Sequence, residues 1–198
     1  MRVVFAATVL AATGLGAGPR PADAQKLGPF RQFLAVEPYY TRLELDAGSG
    51  EGRLGRNGYG GRLWFNLAPF TGDSWILPST GGLALFVSYA PGNQGGDDVS
   101  IWHYGAQHDL FLRNRPLGGV IDPFLSLAAG AFRTRTPTDA RTNFALSPGG
   151  GIRIPLPNRF QLRVDARDAI LFGVRESATS GKRTTHNLEL QGALGITF

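Results

Sequence analysis

Three histidines are the residues of this 198-residue chain best suited to catalysis or metal binding, since imidazole serves both as general base and as metal ligand. Their spacing favours neither use. His103 and His108 are five residues apart and so point to opposite faces of a strand, while His186 lies far along the chain. All three read as structural or interfacial. Gly50-Glu51-Gly52-Arg53-Leu54-Gly55 has the spacing of a dinucleotide-binding fingerprint, but it sits between two strand-like segments with no helix after it to meet a phosphate. The absence of cysteine rules out disulfides, thiolate metal sites and a cysteine nucleophile. No catalytic residue, metal or cofactor is expected.

The remaining candidates are charges that fall in the middle of alternating segments: Arg62, Asp109, Arg163, Asp165, Arg167 and Glu189. Opposite charges on polar strand faces suit a buried ion-pair and hydrogen-bond network, with a charged path for small solutes as the alternative. Either role requires a closed sheet. Period-two patterning between turn-like clusters gives eight candidate strands, near 32–45, 59–67, 83–89, 101–112, 123–132, 144–154, 160–170 and 188–198.

The seventh is the cleanest, setting Phe160, Leu162, Val164 and Ala166 against Gln161, Arg163, Asp165 and Arg167. Asp168 breaks its parity and predicts a bulge or the headgroup boundary there. The first sets Tyr39, Thr41, Leu43 and Leu45 against Tyr40, Arg42 and Glu44, and the sixth is glycine-rich at Gly149, Gly150 and Gly151, which suits a tight wall or a bulky neighbour. Gly-, Pro- and Asp-rich stretches at 46–58, 69–82, 90–100, 113–122, 134–143, 155–159 and 173–184 read as the connections.

The last strand alternates Leu188, Leu190, Gly192, Leu194, Ile196 and Phe198 with Glu189, Gln191, Ala193, Gly195 and Thr197. That is the pattern of a membrane-spanning strand ending on an aromatic ring. At the other end, Arg2 and an uncharged Ala-, Val- and Leu-rich run lead to Ala22-Asp23-Ala24, which predicts a cleaved signal peptide over 1–24 and a mature barrel domain over 25–198 beginning at Gln25. No later apolar run approaches the ~20 residues of a transmembrane helix, so any insertion must be as a closed barrel.

Asp122-Pro123-Phe124-Leu125-Ser126-Leu127-Ala128-Ala129-Gly130-Ala131-Phe132, Gln161-Leu162-Arg163-Val164-Asp165-Ala166-Arg167-Asp168 and the Phe198 end together resemble the small eight-stranded bacterial outer-membrane barrels, the OmpA-type transmembrane barrel among them. The resemblance implies an all-β, antiparallel up-and-down transmembrane barrel in the outer membrane. It also implies Phe198 as a signal to the outer-membrane assembly machinery. Because its motifs are patterns, it implies location more than activity.

Composition bears on which face is outside, since a secreted lipocalin-like binder would turn its apolar face inward. Lysine occurs only at Lys26 and Lys182, an unusual scarcity for a water-exposed barrel. Tyr39, Tyr59, Phe65, Tyr89, Trp102, Tyr104, Phe124, Phe160, Phe172 and Phe198 read as interfacial girdles. The net charge of +5 is too modest to suggest nucleic acid. Arg133, Arg135, Arg141, Arg175, Lys182 and Arg183, read as lying in the outer loops, form a basic set suited either to lipopolysaccharide phosphates or to plain solvation. The sequence thus predicts a non-enzymatic membrane barrel in envelope structure or surface interaction. A small-solute channel, a lipid A modifying enzyme and a lipocalin-like binder are its competitors.

Overall fold

The computed structural model describes residues 34–46, 53–66, 81–94, 96–112, 120–174 and 183–198. The expected signal segment with its Ala24–Gln25 junction, and the connection at 67–80, lie outside them. Eight strands follow in order: β1 (Leu34–Asp46), β2 (Arg53–Asn66), β3 (Gly81–Gln94), β4 (Asp97–Phe111), β5 (Asp122–Arg135), β6 (Ala140–Pro155), β7 (Phe160–Val174) and β8 (Arg183–Thr197). Each pairs antiparallel with its sequence neighbours, and β8 pairs with β1 to close the barrel. Closure leaves no unpaired edge, which is what allows a sheet to stand in an apolar medium.

The seam is tied at the chain end. Phe198 N–H donates to the Leu34 carbonyl at 2.8 Å, and Thr197 N–H donates to the Arg159 carbonyl at 2.9 Å. Arg159 belongs to the short β6–β7 turn, where it and Asn158 adopt left-handed backbone conformations, φ 70° and 59°. That turn shares its end of the barrel with both Leu34 and Phe198.

Two expected connections are much shorter than the sequence predicts. β3 and β4 remain paired out to Gln94 with Asp97, which leaves a two-residue turn in which Gly96 takes φ 95°. That conformation suits glycine and explains the tightness of the hairpin. β5 and β6 likewise remain paired to Arg135 with Ala140. The strands thus run beyond their alternating apolar cores, since a rim exposed on both sides has no reason to alternate.

The expected bulge at Asp168 is absent. β7 keeps strict register through Asp168 with Leu188, and the irregularity falls between Leu171 and Val174, where Gly173 has φ 72°. Asp168 instead points outward and takes His186 as partner, Oδ2 to Nδ1 at 2.7 Å. An outward carboxylate with an imidazole beside it satisfies the pair without breaking the ladder.

Outside, the wall is apolar. Leu63, Leu85, Val87, Leu125, Leu127, Leu162, Val164, Leu190 and Leu194 are all exposed. A row of rings crosses β2 to β4, with Tyr59 edge-on to Tyr89 at 5.7 Å and Tyr89 tilted against Trp102 at 4.7 Å. Phe144 and Phe172 stack at 6.1 Å across β6 and β7. Two of the ten rings assigned to girdles are not there: Tyr39 and Phe124 are buried in the interior.

The face assignment of β1 is corrected with them. Its more apolar set, Tyr39, Thr41 and Leu43, points inward, whereas Tyr40 and Arg42 point out. The interior accepts apolar residues because the loop-side end, which carries the β1–β2, β3–β4, β5–β6 and β7–β8 connections, is closed by a cluster of Leu43, Ala90, Ile101, Phe132, Ala145 and Leu171. Ala35, Trp64 and Ala84, with Phe111 against them, fill the opposite end. A polar layer lies between.

Candidate functional site: a sealed charged layer in the lumen

Inward positions between the two apolar clusters supply the polar layer, and four arginines and four carboxylates form its ion pairs. Arg62 comes from β2, Arg153 from β6, and Arg163 and Arg167 from β7. Facing them are Glu37 of β1, Asp109 of β4, Asp165 of β7 and Glu189 of β8. Every one of these eight side chains has 0% accessible surface, so none borders a gap wide enough for a water molecule. Charges so placed persist only if paired, because desolvation alone costs several kcal/mol per ion.

The pairing is nearly continuous. Arg163 grips Asp109 with two bonds, Nη1 to Oδ2 at 2.6 Å and Nη2 to Oδ1 at 3.2 Å, while Nη2 also donates to Asp165 at 2.9 Å. Arg62 donates to Glu37 at 3.1 Å, to Asp165 at 3.3 Å and to the side-chain amide Oε1 of Gln191. Gln161 adds a bond to Glu37 at 2.6 Å. Arg167 donates to Glu189 and to Gln107, both at 2.8 Å, and Gln107 donates in turn to Asp109 at 2.7 Å. Arg153 lies 3.6 Å from Glu37 and 3.7 Å from Asp109. Thr41 and Gln191 donate to the second oxygen of Glu189 at 3.1 and 2.8 Å.

Each guanidinium also rests on a ring. Arg153 lies 4.3 Å from Trp64 and 4.7 Å from Phe111, Arg163 lies 4.1 Å from Phe124, Arg167 lies 4.7 Å from Phe86, and Arg62 lies 5.3 Å from Tyr39. A desolvated cation over an aromatic face gains about 2 kcal/mol, which is why these rings are inside. Their presence explains the girdle correction for Tyr39 and Phe124.

Space for the long side chains comes from small residues on the neighbouring strand. Gly149 and Gly151 sit opposite Arg167 and Asp165 in the register, and a Cβ on Gly149 would lie 2.7 Å from Arg167 Cγ. On β3, a Cβ on Gly82 would meet the indole of Trp64 on neighbouring β2 at 2.2 Å. The glycine-rich segment therefore faces bulky neighbours.

The structure brings together all six charges singled out from the sequence and adds Glu37, Arg153 and His103. Glu37 has the parity of Thr41 on β1, so its signal was in the alternation, whereas Arg153 shares parity only with the side-chain-less Gly149 and Gly151 on β6. His103 sits between Phe86 and Phe132 with its Nδ1 3.1 Å from Glu189. His108 points outward, half-buried, and His186 is held by Asp168. The three imidazoles never meet. Among the described residues no cluster of side chains suits a metal ion. Of the basic set assigned to loops, Arg133, Arg135, Arg141 and Arg183 are in strands, while Arg175 and Lys182 lie outside the described residues.

No protein-family model and no curated protein matches the sequence. Solved structures do. Neisserial surface protein A superposes with a TM-score of 0.61 at 10% identity, over 83% of this chain and 97% of that one. Ail, the attachment invasion locus protein of Yersinia pestis, gives 0.55 at 12% identity, over 84% and 99%. The outer membrane protein AlkL, solved in lipid bilayers, gives 0.52 at 15% identity, over 84% and 90%. With its closed eight-stranded meander, apolar wall and filled interior, the chain has the fold of the small outer-membrane β-barrels.

Proposed function

We propose that the protein is a non-enzymatic, non-conducting barrel of the bacterial outer membrane that acts in envelope structure or surface interaction. The observation that carries this reading is the sealed charged layer, whose ions have no contact with water and so offer no path for one. An eight-stranded interior is just wide enough for side chains to fill. The apolar outer wall supports insertion in lipid with the loops of β1–β2, β3–β4, β5–β6 and β7–β8 at the cell surface. Outer-membrane lipid and lipopolysaccharide are then its standing neighbours.

Planar-bilayer recording of the purified protein tests the reading. Insertions should give at most brief, rare openings, and long-lived ohmic openings in most insertions would replace it with the small-solute channel. Mass spectrometry of lipid A from cells with and without the protein should show no difference, and a changed acyl pattern would restore the enzyme class.

The reading also assigns Phe198 to assembly, since its strand closes the seam with β1. Deleting Phe198 should raise the fraction of unfolded protein, seen as loss of the heat-modifiable band on a cold gel. Unchanged folding and abundance would remove Phe198 from that role.

A further inference from the structure

On the outward face near the loop-side rim, the row of rings is interrupted on β5 by arginine. Trp102 on β4 pairs with Arg133, and Ser100, one pair further out, pairs with Arg135. Tyr89 and Pro91 on β3 continue both rows, pairing with Trp102 and Ser100. Above Arg133 the β3–β4 hairpin rises past the end of β5 and leaves a notch of about 350 Å³, walled by Tyr89, Pro91, Ser100, Arg135, Thr136 and Asp98.

Three other outward side chains on this barrel are answered locally. Arg42 is held by Glu44 at 2.6 Å, Arg141 by Asp139 at 2.6 Å, and His186 by Asp168 at 2.7 Å. Arg133 and Arg135 are exposed and have no ion pair among the described residues, Asp98 included. Two arginines whose Cα atoms are about 7 Å apart on one strand face, one level with a Trp and the next above it, lie where an interfacial belt meets charged headgroups. Guanidinium forks match phosphate oxygens and are only weakly hydrated.

We propose that Arg133 and Arg135, with the notch above them, bind a phosphate of the outer-leaflet glycolipid, the lipid A part of lipopolysaccharide. The proposal rests on the outer-membrane reading and gives it a specific lipid contact. The Tyr89 and Trp102 rings sit beside the acyl and sugar portions below the phosphate. Asp98 marks the far wall, which the phosphate leaves free. The site recognises lipid-borne phosphate, and the Asp168–His186 sector across the barrel is not part of it.

Native mass spectrometry of the full-length protein tests this, using bisphosphorylated lipid A, the same lipid A stripped of phosphate, and inorganic phosphate as competitor. The unmodified protein should retain the phosphorylated lipid at least about tenfold better than the stripped one, the scale of a lost charge-assisted contact. Arg133→Gln with Arg135→Gln should abolish that preference, while Arg141→Gln, at an arginine already paired, should keep it. Excess inorganic phosphate should not displace the lipid. Retention unchanged in the double variant, indifference of the unmodified protein to lipid phosphate, or displacement by inorganic phosphate would each overturn the site. If the double variant does not fold, Arg135→Gln alone is read, by the same outcomes. Bilayer recordings on the same preparations separate the two proposals, since lost phosphate preference in a non-conducting barrel rejects only this site.

Discussion

Replacing Arg163 by alanine should lower the unfolding free energy of the barrel by about 3 to 5 kcal/mol, the cost of leaving a buried charge without its partner. Arg163 carries both bonds to Asp109 and the shortest bond to Asp165. Without it Asp109 keeps Gln107 as a donor and Arg153 only at 3.7 Å, while Asp165 keeps Arg62 at 3.3 Å. Water cannot fill in for the lost guanidinium unless the wall opens, since the layer is closed to it. The void beside Phe124, whose ring lies 4.1 Å from the guanidinium carbon, adds to the loss.

Removing the pair together should hurt far less. Arg163→Met with Asp109→Leu deletes one charge of each sign and restores apolar bulk, so most of the single-variant loss should return. A urea titration of the refolded barrel in lipid vesicles reads both variants against the unmodified protein. A loss below about 1 kcal/mol for Arg163→Ala, the range of an exposed ion pair, would mean that the layer is wet.

The second large effect is on the outer wall. Leu190 is exposed and pairs with Ala166, which lies midway along β7 between the rings of Phe160 and Phe172. Leu190→Arg should therefore destabilise by about 2 to 4 kcal/mol, as a cation does at the bilayer midplane, whereas Leu162→Arg should cost only about 0 to 1 kcal/mol because a residue near the interface can extend its charge to headgroups. Leu162 sits one outward position from Phe160, at the end of the barrel shared with Leu34 and Phe198. Equal losses at the two positions would contradict the depth assignment, and no loss at either would mean that this wall faces water.

How much of this could be read from the sequence depended on what each strand's inner face is made of. On β7 the inward set is Gln161, Arg163, Asp165 and Arg167 against an apolar exterior, so alternation revealed the lumen directly. On β1 hydropathy misleads. Tyr39 and Leu43 are inside because one stacks near a guanidinium and the other belongs to the apolar closure at the loop-side end, and neither need shows in a local pattern. Glu37 and Thr41 share their parity and were the better guide. On β6 the inward positions Gly149 and Gly151 have no side chain to declare a face, which hid Arg153. The rim defeated alternation for another reason: with both faces exposed, β3 and β4 are held by backbone pairing and the Gly96 turn rather than by burial. The notch beside Arg135 exists only because adjacent hairpins differ in height, and that relation depends on register across strands.

The proposed barrel has its apolar face outside, in lipid, and its charged face sealed within. The chain has no cysteine, so single cysteines can be introduced and spin-labelled without background. Labels at Leu190 and Leu194 should be reached by oxygen dissolved in the bilayer, and a label at Ala193, whose small side chain points inward, should be shielded both from oxygen and from a water-soluble relaxing agent. Oxygen access at Ala193 with aqueous access at Leu190 and Leu194 would invert the barrel and contradict the account.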